Sequence, residues 1–419
     1  MSGTPPHSAA PTAALTEPPW VAAIDQAAEE LNGGWIAMRR HLHQHPELSN
    51  QETLTTSFLR TQLSELDLPI RLAGEGRGLT ADLITDLKLA DRPRIAIRGD
   101  IDALPITDEK SVPYCSTVDG VMHACGHDVH ATVVVGTMQL LARLRRLGQL
   151  PWPIAVRAIL QPSEETAQGA RYMIHHHALA DVDAILALHV DPTRQVGCVG
   201  LRQGALTAGC DLLEVCFHGK GGHAARPHLT KDPIDACTRW VQSAYRRIYR
   251  AIDPHQTVVF SVGKIQAGHS ANVIPDTAKL FGTLRTLNTD ARRLALEILD
   301  DLGDAISRET GCEVKLTLGM SAPAVINDTS LTELLHRSAV QVLDPAAVDW
   351  IEVPSMGSED FSFYLEHVPG AMFRLGVAGD QVGAAPLHTA LFDVDEHAIA
   401  LAVKLFAASV INHFQPDPA

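Results

Sequence analysis

The sequence predicts an α/β fold. A main domain holds a central, mostly parallel sheet flanked by helices, and a smaller α+β domain of βαββαβ, ferredoxin-like order is inserted into it. Three observations lead there. At 419 residues the chain exceeds what one core usually holds. Short, near-continuous apolar runs alternate with helical ones, as in a parallel sheet covered on both faces. Near Gly204 the pattern changes to strand, helix, two strands, helix, strand, the split order of a small two-layer unit.

The elements follow in order. "MSGTPPHSAAPTAALTEPPW" has no lysine, arginine or apolar run, so residues 1–19 are expected to be a disordered arm, not a targeting segment. Ala22 to Leu42 has helical period and closes through "RRHLHQHPELSNQE" with Pro46, and a second helix is expected from Gln51 to Leu66. Strands are expected at Leu79–Thr85, Arg94–Arg98, Ile154–Leu160 and Val182–Leu188. Between the second and third, "DVHATVVVGTMQLLARLRRLG" reads as a helix with Asp128 as cap, arginines in the last turn and Gly148 as stop. "DLLEVCFHGKGG", a helix from Pro233 to Ile252, "TVVFSVGKIQAG", "TAKLFGTLRT", a helix at Ala291–Glu309 and "CEVKLTLG" then supply the inserted unit. The main domain is therefore expected over 20–205 and 323–419, with 206–322 inserted.

Composition narrows the function. A formal net charge of −15 opposes nucleic acid or an anionic membrane as partner, since both need basic patches. A small anionic substrate stays open, because a few local arginines outweigh a distant field. The 7 cysteines are too sparse for a disulfide scaffold and fit a reducing cytoplasm. No stretch approaches the roughly 18–20 apolar residues of a membrane span.

Several ligand-type residues follow strand ends. "RIAIRGDIDALP" places Asp100 and Asp102 past one strand, "AILQPSEE" places Glu164 and Glu165 past another, and "AILALHVD" places His189 past a third. "MHACGHDVH" sets Cys125 and His127 just before a helix, and "PLHTALFDVDEHA" offers His388. Singly these are weak: an Asp-x-Asp after a strand is usually a turn, paired glutamates a solvated face, a lone cysteine or histidine core. Their weight is their coincidence at the strand ends, where open α/β sheets bind ligands. The triple histidine at 175–177 lies in a helical stretch and reads as partly exposed surface.

A mixed Cys/His/Glu set suits zinc and, more loosely, manganese, cobalt or nickel, but not calcium or magnesium. Of two adjacent glutamates, one coordinates and the other is free as a base, the equipment of metal-assisted amide or ester hydrolysis. Other plans fail. No H-E-x-x-H occurs, "GHSAN" lacks the last glycine of a nucleophile elbow, and "GEGRGL" misses the third glycine of a dinucleotide fingerprint.

Together "RRHLHQHPELSNQE", "RGDIDALPI", "MHACGHDVHA", "QPSEE", "LHV", "GKGGHAARPH", "NVIPDTAKLFGTLRT", "MGSEDFSFY" and "LHTALFDVDE" resemble the successive signatures of the N-acyl-amino-acid amidohydrolases. That group includes the hippurate hydrolases and indoleacetyl-amino-acid hydrolases of the aminoacylase and glutamate-carboxypeptidase clan of metallopeptidases. The motifs run from Arg39 to Glu396 in family order. The resemblance implies that Cys125, His127, Glu165, His189 and His388 bind one or two divalent metals (Zn, Mn, Co or Ni), with the Cys125 thiolate bridging. It makes Glu164 the general base and Asp102 the group that orients a ligating histidine. It makes the inserted domain a lid and dimerisation module in a homodimer or higher homo-oligomer. His223 from that module would stabilise the oxyanion, in its own or a partner subunit's site. Asn272 and Arg285 would hold the substrate's carboxylate.

One departure bears on substrate. After the paired glutamates the family runs through glycines, whereas this chain has Thr166, Ala167 and Gln168, whose side chains are expected to narrow or re-polarise the pocket. The expected activity is hydrolysis of N-acyl amino acids or related small peptides. The rivals are a carboxypeptidase or dipeptidase on the same site, and a metal-holding protein without turnover.

Overall fold

The computed structural model describes residues 18–89, 93–380 and 382–416. The expected arm thus lies almost wholly outside the described residues. An eight-stranded sheet runs in the order Ile70–Leu72, Leu79–Ile84, Ala155–Gln161, Arg94–Asp100, Val182–Gln195, Gly370–Ala378, Val199–Leu201 and Val348–Trp350. Its four central strands, from Ala155–Gln161 to Gly370–Ala378, are mutually parallel, while the strands at the Leu79–Ile84 side pair antiparallel. Every residue of Arg94–Asp100 and Ala155–Gln161 is buried, which is why these strands read as near-continuous apolar runs.

Helices Pro19–Gln44, His127–Leu147, Thr329–Val342 and His397–His413 share one continuous core with one face of the sheet. Helix Gly169–His175 and the 3-10 turn Asp360–Glu366 cover the other face. The first helix begins before Ala22 because Trp20 and Val21 are buried and prolines favour its first turn.

Two expectations need correction. Asp128 does not cap its helix. The cap position is Gly126, at φ 83, and Asp128 is buried in the first turn against Arg39 and His43. His189 does not lie past a strand end either. The strand continues to Gln195 because Gly370–Ala378 pairs alongside it, with Arg374 opposite His189.

Two glycines fix how the site is built. A Cβ on Gly99 would stand 2.7 Å from the His130 carbonyl oxygen, so only glycine lets helix His127–Leu147 approach this strand so closely. Gly126 needs both its left-handed backbone and the space a Cβ would take from Val190, 2.5 Å away. Together they bring the Cys125–His130 segment against Asp100 and Asp102.

The second sheet is fully antiparallel, in the order Val258–Ala267, Thr277–Thr286, Gly209–His218, Glu313–Ala322. Helices Pro233–Ala251 and Thr289–Thr310 pack on it around a separate core that includes Phe217, Trp240, Phe260 and Leu299. Asp232 and Asn288 cap these helices with side-chain oxygens. Gly204–Thr207 and Val325–Asn327, the segments leading into and out of this unit, pair with each other. Among the described residues no helix is long and apolar enough to cross a membrane.

Candidate metal centre

Asp102, just past strand Arg94–Asp100, organises the centre. Its Oδ1 and main-chain oxygen lie 3.1 Å and 2.9 Å from His127 Nδ1, and its Oδ2 accepts from the Glu165 backbone N–H at 3.0 Å and the Ser49 hydroxyl at 2.7 Å. One carboxylate therefore fixes the imidazole and the glutamate turn at once. With Nδ1 engaged as donor, His127 presents Nε2, at 3.8 Å from Glu165 Oε1 and 4.0 Å from Glu164 Oε2. His189 donates from Nδ1 to the Val190 carbonyl at 2.7 Å and turns Nε2 to Cys125 Sγ at 3.5 Å. His388, held by its N–H to the Ala124 carbonyl, brings Nε2 within 3.3 Å of the same sulfur and 3.7 Å of Glu165 Oε1.

Donor atoms of Cys125, His127 and His189 lie within 4.8 Å of one another, as do those of Cys125, Glu165 and His388, and those of His127, Glu164 and Glu165. The three groups overlap at Cys125, His127 and Glu165. These residues fit a divalent metal. His127 Nε2 and Glu165 Oε1 are buried and have no hydrogen-bond partner, an omission costing about 1–3 kcal/mol per atom unless something binds there. The charges agree. Burial, then Glu359, Asp360 and Glu165, pushes Glu164 well above the carboxylate range, and burial pushes Glu165 up to about 7 against the pull of His127. Burial opposes charge on His127, but Asp100, Cys125 and Asp102 outweigh it and raise its pKa well above that of free imidazole. A cage that draws a proton so strongly equally attracts a cation.

The opposing charge comes from Arg98, fully buried beneath the cleft. It donates to Asp100 at 2.6 Å, Gln161 at 2.9 Å, Asp360 at 2.8 Å and Glu359 at 3.0 Å. Glu164 Oε1 in turn accepts from the Asp360 backbone N–H at 3.3 Å.

A cleft of about 800 Å³ opens over the centre. His189 lines it from the main sheet and Cys125, Glu164, Glu165 and His388 from the segments that connect its elements, while Arg285, Met320 and Ala322 line it from the second sheet. Arg285 donates from Nη1 to the Met356 carbonyl at 2.6 Å. His223 and Asn272 are not brought to this cleft. They are exposed beside each other, where Gly222–His223 pairs with Val273–Ile274. Ala167 lines the cleft, while Gln168 is exposed; His175 and His177 are exposed away from it.

Residues 96–412 match the profile of peptidase family M20/M25/M40. The chain belongs to this family. M20 peptidases of this kind are metal-dependent hydrolases of amide bonds, and this chain is one of them. It is 37% identical over 368 residues to an N-acetyl-L-cysteine deacetylase of Bacillus subtilis, covering 87% of this chain and 84% of that protein. It is 32% identical over 393 residues to thermostable carboxypeptidase 2 of Saccharolobus solfataricus, covering 92% and 96%. The crystal structure of a Bacillus subtilis M20 protein described as a dinuclear metal binding peptidase matches with a TM-score of 0.77 at 33% identity, covering 91% of this chain and 98% of that one.

Sequence reasoning about this M20 peptidase left Arg98, Gln161, Glu359 and Asp360 without roles. The signal was present in "MGSEDFSFY" and in an arginine inside an otherwise apolar strand, a placement that requires buried acids elsewhere. Asp100, grouped with Asp102 in the sequence, instead binds Arg98 and His130.

Proposed function

We propose that this M20 peptidase cleaves the amide bond of N-acyl amino acids, of the hippurate or acyl-amino-acid conjugate kind. The observation that carries the reading is the division of labour between two adjacent glutamates. Both line the cleft, but Glu165 converges with Cys125 and His388, whereas Glu164 groups with His127 and Glu165 and with Glu359 and Asp360, with no cysteine among them. Cys125, His127, Glu165, His189 and His388 would hold one or two divalent ions (zinc, manganese, cobalt or nickel by donor type). Such an ion supplies Lewis acidity that polarises the scissile carbonyl and acidifies water.

Glu164 takes the proton of the attacking water and delivers it to the leaving amine nitrogen. Its raised affinity for a proton suits both halves of that transfer. Asp102 holds the His127 tautomer, and Arg285 offers its remaining guanidinium donors to the substrate carboxylate. His223 and Asn272 lie outside the same-chain cleft, so their oxyanion and carboxylate contacts are assigned to a second copy in a homodimer. The 206–322 unit then serves as lid and dimer module.

The test is a screen of N-acyl amino acids, varying acyl and amino parts separately, with each of the four metals supplied. Turnover of several N-acyl amino acids is expected, and a broad failure with all four metals contradicts the reading. Likeness to a carboxypeptidase favours a second reading, cleavage of peptides at a free carboxyl end, which dipeptides in the same screen separate. Cys125→Ser is expected to weaken metal binding by at least the roughly tenfold that loss of a partner behind a ligand costs, and so to lower metal content. Elemental analysis reads it, and unchanged content removes Cys125 from the ligand set.

A further inference from the structure

Arg374 has no role in the reaction as derived above, yet it stands over the centre. In strand Gly370–Ala378 every other residue is buried, and Arg374 alone is partly exposed, into the cleft. Its ladder partner is His189, so the two side chains rise side by side from neighbouring parallel strands on one face of the sheet. The acids whose charges reach it are Glu359 and Asp191. Both are already held, Glu359 by Arg98 at 3.0 Å and Asp191 by Arg194 at 3.0 Å. Among the described residues no carboxylate lies within 4.0 Å of the Arg374 guanidinium and no acceptor is hydrogen-bonded to it. A guanidinium on the cleft wall with its fork of donors unused is a site for a carboxylate. Arg285 faces the same cleft from the opposite sheet. The two arginines thus stand on opposite walls of a cleft whose lining carboxylates are Glu164, Glu165, Asp191, Glu359 and Asp360.

Resting on the reaction proposed above, we infer that Arg374 binds a second carboxylate of the substrate, so that the preferred substrates are N-acyl amino acids carrying two anionic groups. The extra carboxylate has two sources, the amino-acid side chain or the acyl group. Matched pairs distinguish them: N-acetyl-glutamate against N-acetyl-glutamine, and N-succinyl-alanine against its succinamoyl analogue.

For the metal-loaded full chain, the acidic member of at least one pair is expected to have a KM lower by about tenfold or more, the size of a charge-assisted contact. In Arg374→Met that preference collapses while kcat for the neutral member stays within about threefold, and Arg374→Lys restores part of it. The inference is overturned if neither acidic member is preferred, if the preference survives in Arg374→Met, or if Arg374→Met lowers kcat for both members alike. Calorimetric binding of glutarate against its monoamide requires no turnover. Selective glutarate binding that is lost in Arg374→Met upholds the inference even where no amide is cleaved. Equal binding of both probes, or binding unchanged in Arg374→Met, overturns it independently of the reaction.

Discussion

Glu164→Ala is expected to reduce kcat by about 10²–10⁴-fold while metal content stays near wild type, because a general base contributes that much without being a ligand. The geometry separates the two glutamates. Glu165 is tied to Asp102 through its backbone and meets Cys125 and His388 through its carboxylate. Glu164 faces the cleft and has Glu359 and Asp360 as its other acidic neighbours. Burial with those neighbours raises its pKa well above the carboxylate range. Turnover within about tenfold of wild type would assign the base to another residue, and a parallel loss of metal would make Glu164 a ligand.

Arg39→Met is expected to destabilise the fold by about 3–5 kcal/mol, the cost of leaving buried charge uncompensated. Arg39 is fully buried in helix Pro19–Gln44, and it pairs with Asp128 at 2.8 Å, Asp393 at 3.0 Å and Glu396 at 3.4 Å. Asp128 is held well below the carboxylate range: burial opposes its charge, and Arg39 with His43 overcomes that. Removing the guanidinium strands at least two carboxylates in a core whose whole stability is of order 5–15 kcal/mol. A lower urea midpoint at unchanged slope is the expected readout. The double variant Arg39→Met, Asp128→Asn should recover part of the loss, since it removes an orphaned charge. A shift below about 1 kcal/mol would mean that the network is solvated and not buried.

The sequence made the sheet legible because its central strands are buried on both faces and carry few polar residues, so their apolar runs stand out against the amphipathic helices. The inserted unit was legible from the order of its elements alone. The extent of strand Val182–Gln195 was not, because its second half is half-polar and continues only by pairing with a strand far along the chain. The Asp128 cap misled for a similar reason: a local capping rule lost to Arg39, 89 residues away. At the centre, the ligand-type residues were readable, since Cys, His and Glu next to apolar runs are conspicuous. Arg98 and Arg374 were not, because an arginine inside a strand acquires meaning only from acids or open space that distant segments supply. His223 and Asn272 came from motif likeness, and no spacing along the chain could say which cleft they face.

The central claim is that Cys125, His127, Glu165, His189 and His388 enclose a divalent cation while Glu164 is left free. Anomalous diffraction at the metal edge from crystals of the metal-loaded protein tests it most directly. The account predicts one or two peaks at about 2.0–2.3 Å from those sulfur, nitrogen and oxygen atoms, with the Glu164 carboxylate outside that distance. A peak elsewhere, or one bound by Glu164 in place of Glu165, would contradict it.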